Sequence, residues 1–142
     1  MSEYILRFDG SCKGPQTERR IGMGLVIYRD DNVVFEKAWT QDDDNLTNNV
    51  AEYRGLLGAL AYLVENGYQE ALIRSDSQLL VRQMQGRYKV RHPRLQPLYR
   101  QAKALEANLA LVTFEHVRRT ENTAADRLSN LAMDAQESTN KD

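Results

Sequence analysis

Apolar residues alternate with polar ones near the N-terminus and recur at steps of three and four further on, so strands come first and helices later. Residues 4–8, Tyr-Ile-Leu-Arg-Phe, predict a first strand that ends at Asp9-Gly10-Ser11. Residues 13–20 hold Gly14, Pro15 and charges, the composition of a loop. Residues 21–28 and 32–39 predict a hairpin turning at Asp30-Asp31-Asn32. After a polar stretch, a long helix is expected over about 49–66, with Val50, Tyr53, Leu57, Leu60 and Val64 as its buried stripe and Gly67 as its stop. A short apolar strand at 71–73 runs to Ser75-Asp76, and helices follow at 77–85 and 95–107, joined by a connector at 86–93. A strand at 110–117 and a helix at 123–135 complete the periodic part. The polar residues 136–142 have no apolar rhythm and are expected to form a disordered tail.

This order predicts an α/β domain over 1–135: a five-stranded mixed sheet, the first three strands antiparallel and the later ones parallel to the first, with helices on both faces. At 142 residues, with 42% hydrophobic and 27% charged positions, the composition is that of one ordinary globular domain, expected to be a monomer. No apolar run approaches the ~18 residues of a membrane span, and the first residues do not resemble a signal peptide. The single cysteine, Cys12, excludes an internal disulfide and a multi-cysteine zinc site, so the expected compartment is the cytoplasm.

A net charge of −1 argues against nucleic-acid binding through overall basicity, but its distribution changes the picture. Between Arg82 and Arg119 nine Lys/Arg residues face only Glu106 and Glu115, which makes a locally basic stretch suited to phosphates. The acids fall differently. Asp9 and Asp76 are placed at strand ends, while Glu52 and Asp126 are placed in first helical turns. Each has a plain explanation, since Asn49-x-x-Glu52 and Thr123-x-x-Asp126 fit capping boxes, Asp76 fits a cap and Asp9 a turn. Together they gather at one sheet edge, where ligands of open α/β sheets bind. Four carboxylates there need cations, and an all-oxygen set suits Mg²⁺, with Mn²⁺ as substitute. Two such ions would clamp a phosphodiester for hydrolysis.

Four stretches carry a resemblance: Asp9-Gly10-Ser11-Cys12, Thr47-Asn48-Asn49-Val50-Ala51-Glu52, Ser75-Asp76-Ser77-Gln78 and Glu121-Asn122-Thr123-Ala124-Ala125-Asp126. In this order they resemble ribonuclease H type 1 over about residues 3–135. The resemblance implies a ribonuclease H-like fold and an endonuclease that cuts the RNA strand of RNA–DNA hybrids, leaving 5′-phosphate and 3′-hydroxyl ends. It implies that Asp9, Glu52, Asp76 and Asp126 hold two magnesium ions. It further implies hybrid contacts by the Cys12 backbone, Asn48, Asn49 and Gln78, with Thr47 on a DNA phosphate. Amides suit that task, because the RNA 2′-hydroxyl both donates and accepts.

The chain departs from the family in two places. The segment 118–120 between the last strand and helix is short and holds no histidine, which leaves Arg119 as the nearest candidate to help product leave. His116 is expected to pack or sit at the rim. The connector 86–93 is also too short for the family's basic protrusion, with Arg87, Lys89, Arg91 and Arg94 as partial replacements. Cys12 is not expected to be a nucleophile, Trp39 is expected to pack, and Asp42-Asp43-Asp44 to be a solvated loop. Two other readings keep the fold: a resolvase-like DNA nuclease, and a catalytically silent hybrid-binding module, which would lack one or more of the four acids.

Overall fold

The computed structural model describes residues 4–13, 20–41 and 47–140, with side chains described as far as Leu131 in the last helix. The strands are β1 (Tyr4–Lys13), β2 (Arg20–Arg29), β3 (Asn32–Gln41), β4 (Glu70–Ser75) and β5 (Leu111–His116). The helices are α1 (Asn48–Glu65), α2 (Gln78–Met84), α3 (Gln96–Glu106) and α4 (Thr123–Asn140), with a 3-10 turn at Arg119–Glu121. One sheet runs in the order β3-β2-β1-β4-β5. β1, β2 and β3 pair antiparallel, whereas β4 and β5 run parallel to β1, as helical crossovers require. Helix α1 packs on one face of β1 and β2 with α3 against it, and α4 packs across β1, β2 and β3. No described helix is long and apolar enough to cross a membrane.

The β2–β3 turn needs two residues in the left-handed region, and Asp30 (φ 51°) and Asp31 (φ 65°) supply them. Both positive angles match the twist of a two-residue hairpin, and aspartate tolerates them better than most side chains. The core joins Leu6 and Phe8 of β1 to Leu25 and Ile27 of β2 and to the inner side of α1. That side is centred on Val50, Tyr53, Leu56, Leu60 and Leu63, while Leu57 is only half-buried. The stripe therefore lies slightly round the helix from the expected one, because α3 packs beside it and widens the buried arc. Trp39 packs against Ile21, Met23 and Gly58, as a packing residue should. The Asp42–Asp44 run lies outside the described residues.

Three of the boundary differences from the sequence pattern matter most. β1 does not stop at Phe8. It continues through Asp9-Gly10-Ser11 to Lys13, paired with β2 throughout, because the β2 partners override the turn preference of Asp, Gly and Ser. Helix α1 starts at Asn48, one residue early, with Thr47 as its cap, so Glu52 stands in the second turn rather than the first. Helix α4 continues to Asn140, so the backbone of 136–140 is helical where a disordered tail was expected.

Candidate active site

The pairing of β1 with β4 covers only Ile5–Arg7 against Leu72–Arg74. Beyond Arg7 no described strand lies along that edge of β1, and its backbone groups must find other partners. They find side chains. The Phe8 carbonyl accepts the Asn122 amide at 2.8 Å, and the Cys12 N–H donates to Asn48 Oδ1 at 3.2 Å. The Gly10 N–H donates to the Glu52 carboxylate. A bare strand edge thus draws α1 and the start of α4 towards Asp9.

Two glycines set how close they come. A Cβ at Gly10 would lie 2.0 Å from the Ala51 carbonyl oxygen of α1, and one at Gly24 would lie 2.2 Å from the Ala125 carbonyl oxygen of α4. Gly24 is the direct cross-strand partner of Asp9. Helix backbone therefore rests directly on the sheet on both sides of Asp9.

The carboxylates of Asp9, Glu52 and Asp76 offer oxygens that all lie within 4.8 Å of one another. Asp9 and Glu52 are buried, and Asp76, just past the end of β4, is half-buried. Asp126, in the first turn of α4, is in hydrogen-bonding contact with Asp9 but lies outside that three-residue group. Ser129, one turn further along α4, donates to the Asp126 carbonyl at 2.8 Å and stands 3.5 Å from Asp9 Oδ2. Its hydroxyl is also 3.2 Å from that of Ser11.

The caps separate structural from chemical duties. Thr47 Oγ1 accepts the Val50 N–H at 3.2 Å and Ser77 Oγ accepts the Leu80 N–H at 3.3 Å. Those caps relieve Asn49 and Asp76 of the roles that sequence spacing offers them. Asn49 and Gln78 are exposed at the starts of α1 and α2, and Cys12 is half-buried beside Asn48. Arg119 is exposed at the start of the 3-10 turn, and His116 is exposed at the end of β5, in register with Ser75. Asn122 and Ser129 were not singled out as site residues, because nothing in their local pattern distinguishes them from cap and helix-face residues.

Crowding perturbs the acids. Burial first, then the hydrogen bond to Asp126 and the charge of Asp76, push the Asp9 carboxyl up to about 7. Burial, then the charges of Asp9 and Asp76, hold Glu52 well above the usual carboxylate range, and the Gly10 N–H only partly offsets this. Glu52 Oε2 is buried with no hydrogen-bond partner among the described residues. Three all-oxygen donors around an orphaned carboxylate oxygen fit a small, hard divalent cation, which would remove the mutual repulsion.

A sheet of this order, with acids on its central strand, on the crossing helix and beyond the parallel neighbour, defines a ribonuclease H-like domain. The reverse transcriptase-like family matches residues 7–132. A bifunctional protein of Mycobacterium tuberculosis is 43% identical over 133 residues, which is 94% of this chain but only 36% of that protein, so the chain spans about a third of its length. The N-terminal RNase H domain of that protein has a known structure, similar at a TM-score of 0.85 and 41% identity over 98% of this chain and 99% of that one. Ribonuclease HI of Halobacterium salinarum is 33% identical over 89% of this chain and 62% of its own length. LC11 RNase H1, isolated from compost by a metagenomic approach and solved in complex with an RNA/DNA hybrid, is similar at a TM-score of 0.85 and 34% identity, over 94% of this chain and 99% of that one. The chain belongs to the ribonuclease H type 1 family.

Proposed function

We propose that this domain is an endonuclease that hydrolyses the RNA strand of RNA–DNA hybrids, leaving 5′-phosphate and 3′-hydroxyl ends. The observation that carries this reading is the set of three carboxylates within 4.8 Å at the bare edge of β1, with Glu52 Oε2 buried and unpartnered among the described residues. Asp9, Glu52, Asp76 and Asp126 would hold the magnesium, two ions in the full site, with manganese as a substitute. When bound, the metal supplies Lewis-acid polarisation of the phosphodiester and a more acidic attacking water. The chain's own contribution is rigidity. Gly10 fixes Glu52 through its N–H, and Ser129 stands behind Asp9.

The hybrid as substrate is supported by the complex known for the LC11 relative. Asn48, Asn49, Gln78 and the Cys12 backbone are assigned to the hybrid, because amides suit 2′-hydroxyls and base edges in the shallow minor groove. Thr47, although engaged as a cap, is assigned to the DNA phosphate, and Arg119 on its exposed turn to the release of product. The protein is taken to act as a monomer in the cytoplasm.

The direct test is incubation of labelled hybrid with magnesium, manganese or EDTA. Internal cuts confined to the RNA strand, requiring a divalent ion and lowered about 1,000-fold or more in Asp76→Asn, are the expected result. Nicked duplex DNA would instead mark a resolvase-like nuclease, and an intact hybrid under both metals a silent module.

A second expectation concerns the basic stretch. Arg87, Lys89, Arg91, Arg94, Arg100, Arg118 and Arg119 are exposed, whereas Lys103 is engaged with the Met84 carbonyl at 2.7 Å and with Glu106. Hybrid affinity should fall with salt at a log–log slope of roughly −0.9 per phosphate neutralised. Replacing Arg87 and Arg91 together by alanine should flatten that slope by about 2. A wild-type slope near zero would remove this surface from the interface.

A further inference from the structure

Asn122 precedes α4 and is fully buried, yet its side chain does not cap the helix. A capping side chain offers its oxygen to the first N–H groups of the helix. Here Oδ1 has no partner among the described residues, and the amide is turned towards the sheet instead. Both Nδ2 protons are committed, one to the Phe8 carbonyl at 2.8 Å and one to Asp76 Oδ2 at 3.0 Å. The Asn122 backbone is separately engaged: its N–H donates to the Arg119 carbonyl and its carbonyl accepts the Asp126 N–H. Leaving a buried amide oxygen unpaired costs stability, and folding alone does not account for an arrangement that keeps it so.

A doubly donating amide suits this position. Phe8 O and Asp76 Oδ2 are both acceptors, and one group must donate to both to hold them side by side. A carboxylate would repel them, and a hydroxyl has only one proton to give.

We propose that Asn122 is a positioning residue for the cation site: by tying Asp76 Oδ2 to the bare edge of β1 it fixes where Asp76 stands relative to Asp9 and Glu52. The two fixed points are an atom of the rigid central strand and an acid on the short segment after β4, so Asn122 transfers the rigidity of the sheet to an otherwise movable acid. This rests on the cation-dependent function proposed above. It adds a residue that touches neither metal nor substrate and sets where one ligand stands.

The test compares wild type and Asn122→Ala by calorimetric titration with Mn²⁺, by metal-free circular dichroism and by steady-state cleavage of hybrid. The expected result is a metal-free fold retained, Mn²⁺ affinity and kcat each lowered about 10- to 100-fold, KM for hybrid within about twofold, and kcat recovered at saturating Mn²⁺. A purely structural loss would lower stability without moving the metal midpoint. Equal Mn²⁺ affinity in both proteins would overturn the assignment of Asn122 and leave the proposed function standing. A wild type that binds no Mn²⁺ would overturn the function and this inference with it. A wild-type NMR titration needs no variant. Both Asn122 side-chain amide protons should exchange slowly and shift with the Mg²⁺ binding curve, and rapid exchange or indifference to Mg²⁺ would refute the role.

Discussion

Asp9→Asn should abolish cleavage of hybrid and, without metal above pH 7, make the protein more stable than wild type. The two effects have one origin. Asp9 is buried beside Glu52, Asp76 and Asp126, and its pKa rises from the usual 3.8 to about 7. The fold therefore binds that proton more tightly than the unfolded chain does. Between about pH 4 and pH 7 the folded protein keeps a proton that the unfolded chain has lost, so stability falls as pH rises through that window. The contribution is fully present below the unfolded value and gone once the pH exceeds the folded one. Glu52, raised for the same reasons, adds to the trend in the same direction.

Asparagine keeps the shape and cannot ionise, so the variant escapes this loss. At pH 8 in EDTA, Asp9→Asn should exceed wild type by on the order of 2–4 kcal/mol, seen as a higher Tm by roughly 5–12 °C. Near pH 4 the two should converge. Saturating magnesium should narrow or reverse the gap, because the ion stabilises only a protein that binds it. Activity moves the other way, falling about 1,000-fold or more, since a ligand at the reacting centre contributes several kcal/mol of charge stabilisation. Thermal scans at pH 4, 6 and 8, with EDTA and with magnesium, read both arms. A wild-type Tm that stays level with that of the variant from pH 4 to 8 in EDTA would mean that the acids are not crowded as described.

That crowding was only partly legible in the sequence. The four acids, the order of the elements and the mixed sheet follow from periodicity and from four short motifs. The extension of β1 through Asp9-Gly10-Ser11 does not, because those residue types favour turns and only the β2 partners make them a strand. The spacing Asn49-x-x-Glu52 places the cap of α1 at Asn49, and it falls on Thr47, because Thr47, Asn48 and Asn49 are all good caps and local propensity cannot choose among them. Asn122 lies 46 residues from Asp76 and 114 from Phe8 along the chain, so its hydrogen bonds have no local signature. What the sequence does carry, in Gly10 and Gly24, is the absence of side chains where helices must touch the sheet.

Gly10→Ala tests that contact, and its expected effect is large in both stability and metal binding. A methyl group at Gly10 would stand 2.0 Å from Ala51 O, 2.3 Å from Ala51 C and 2.7 Å from Glu52 N, all backbone atoms of α1 that no side-chain rotation can clear. The helix must retreat by about an ångström or more to reach ordinary contact. Glu52 retreats with it, away from Asp9 and from the Gly10 N–H that holds it. Asn48 moves as well, loosening its bond to the Cys12 N–H. The cost should reach or exceed the upper end of overpacking penalties, about 3 kcal/mol, with Mg²⁺ affinity and cleavage lost together. Gly67→Ala supplies the contrast. Gly67 has φ +74° and open space around it, so its cost is backbone strain of about 1–2 kcal/mol with metal binding untouched. Urea midpoints and Mg²⁺ titrations on the two variants separate a close helix contact from ordinary glycine strain. If Gly10→Ala behaves like Gly67→Ala in both measurements, α1 does not rest on β1, and nothing then holds Glu52 within reach of Asp9.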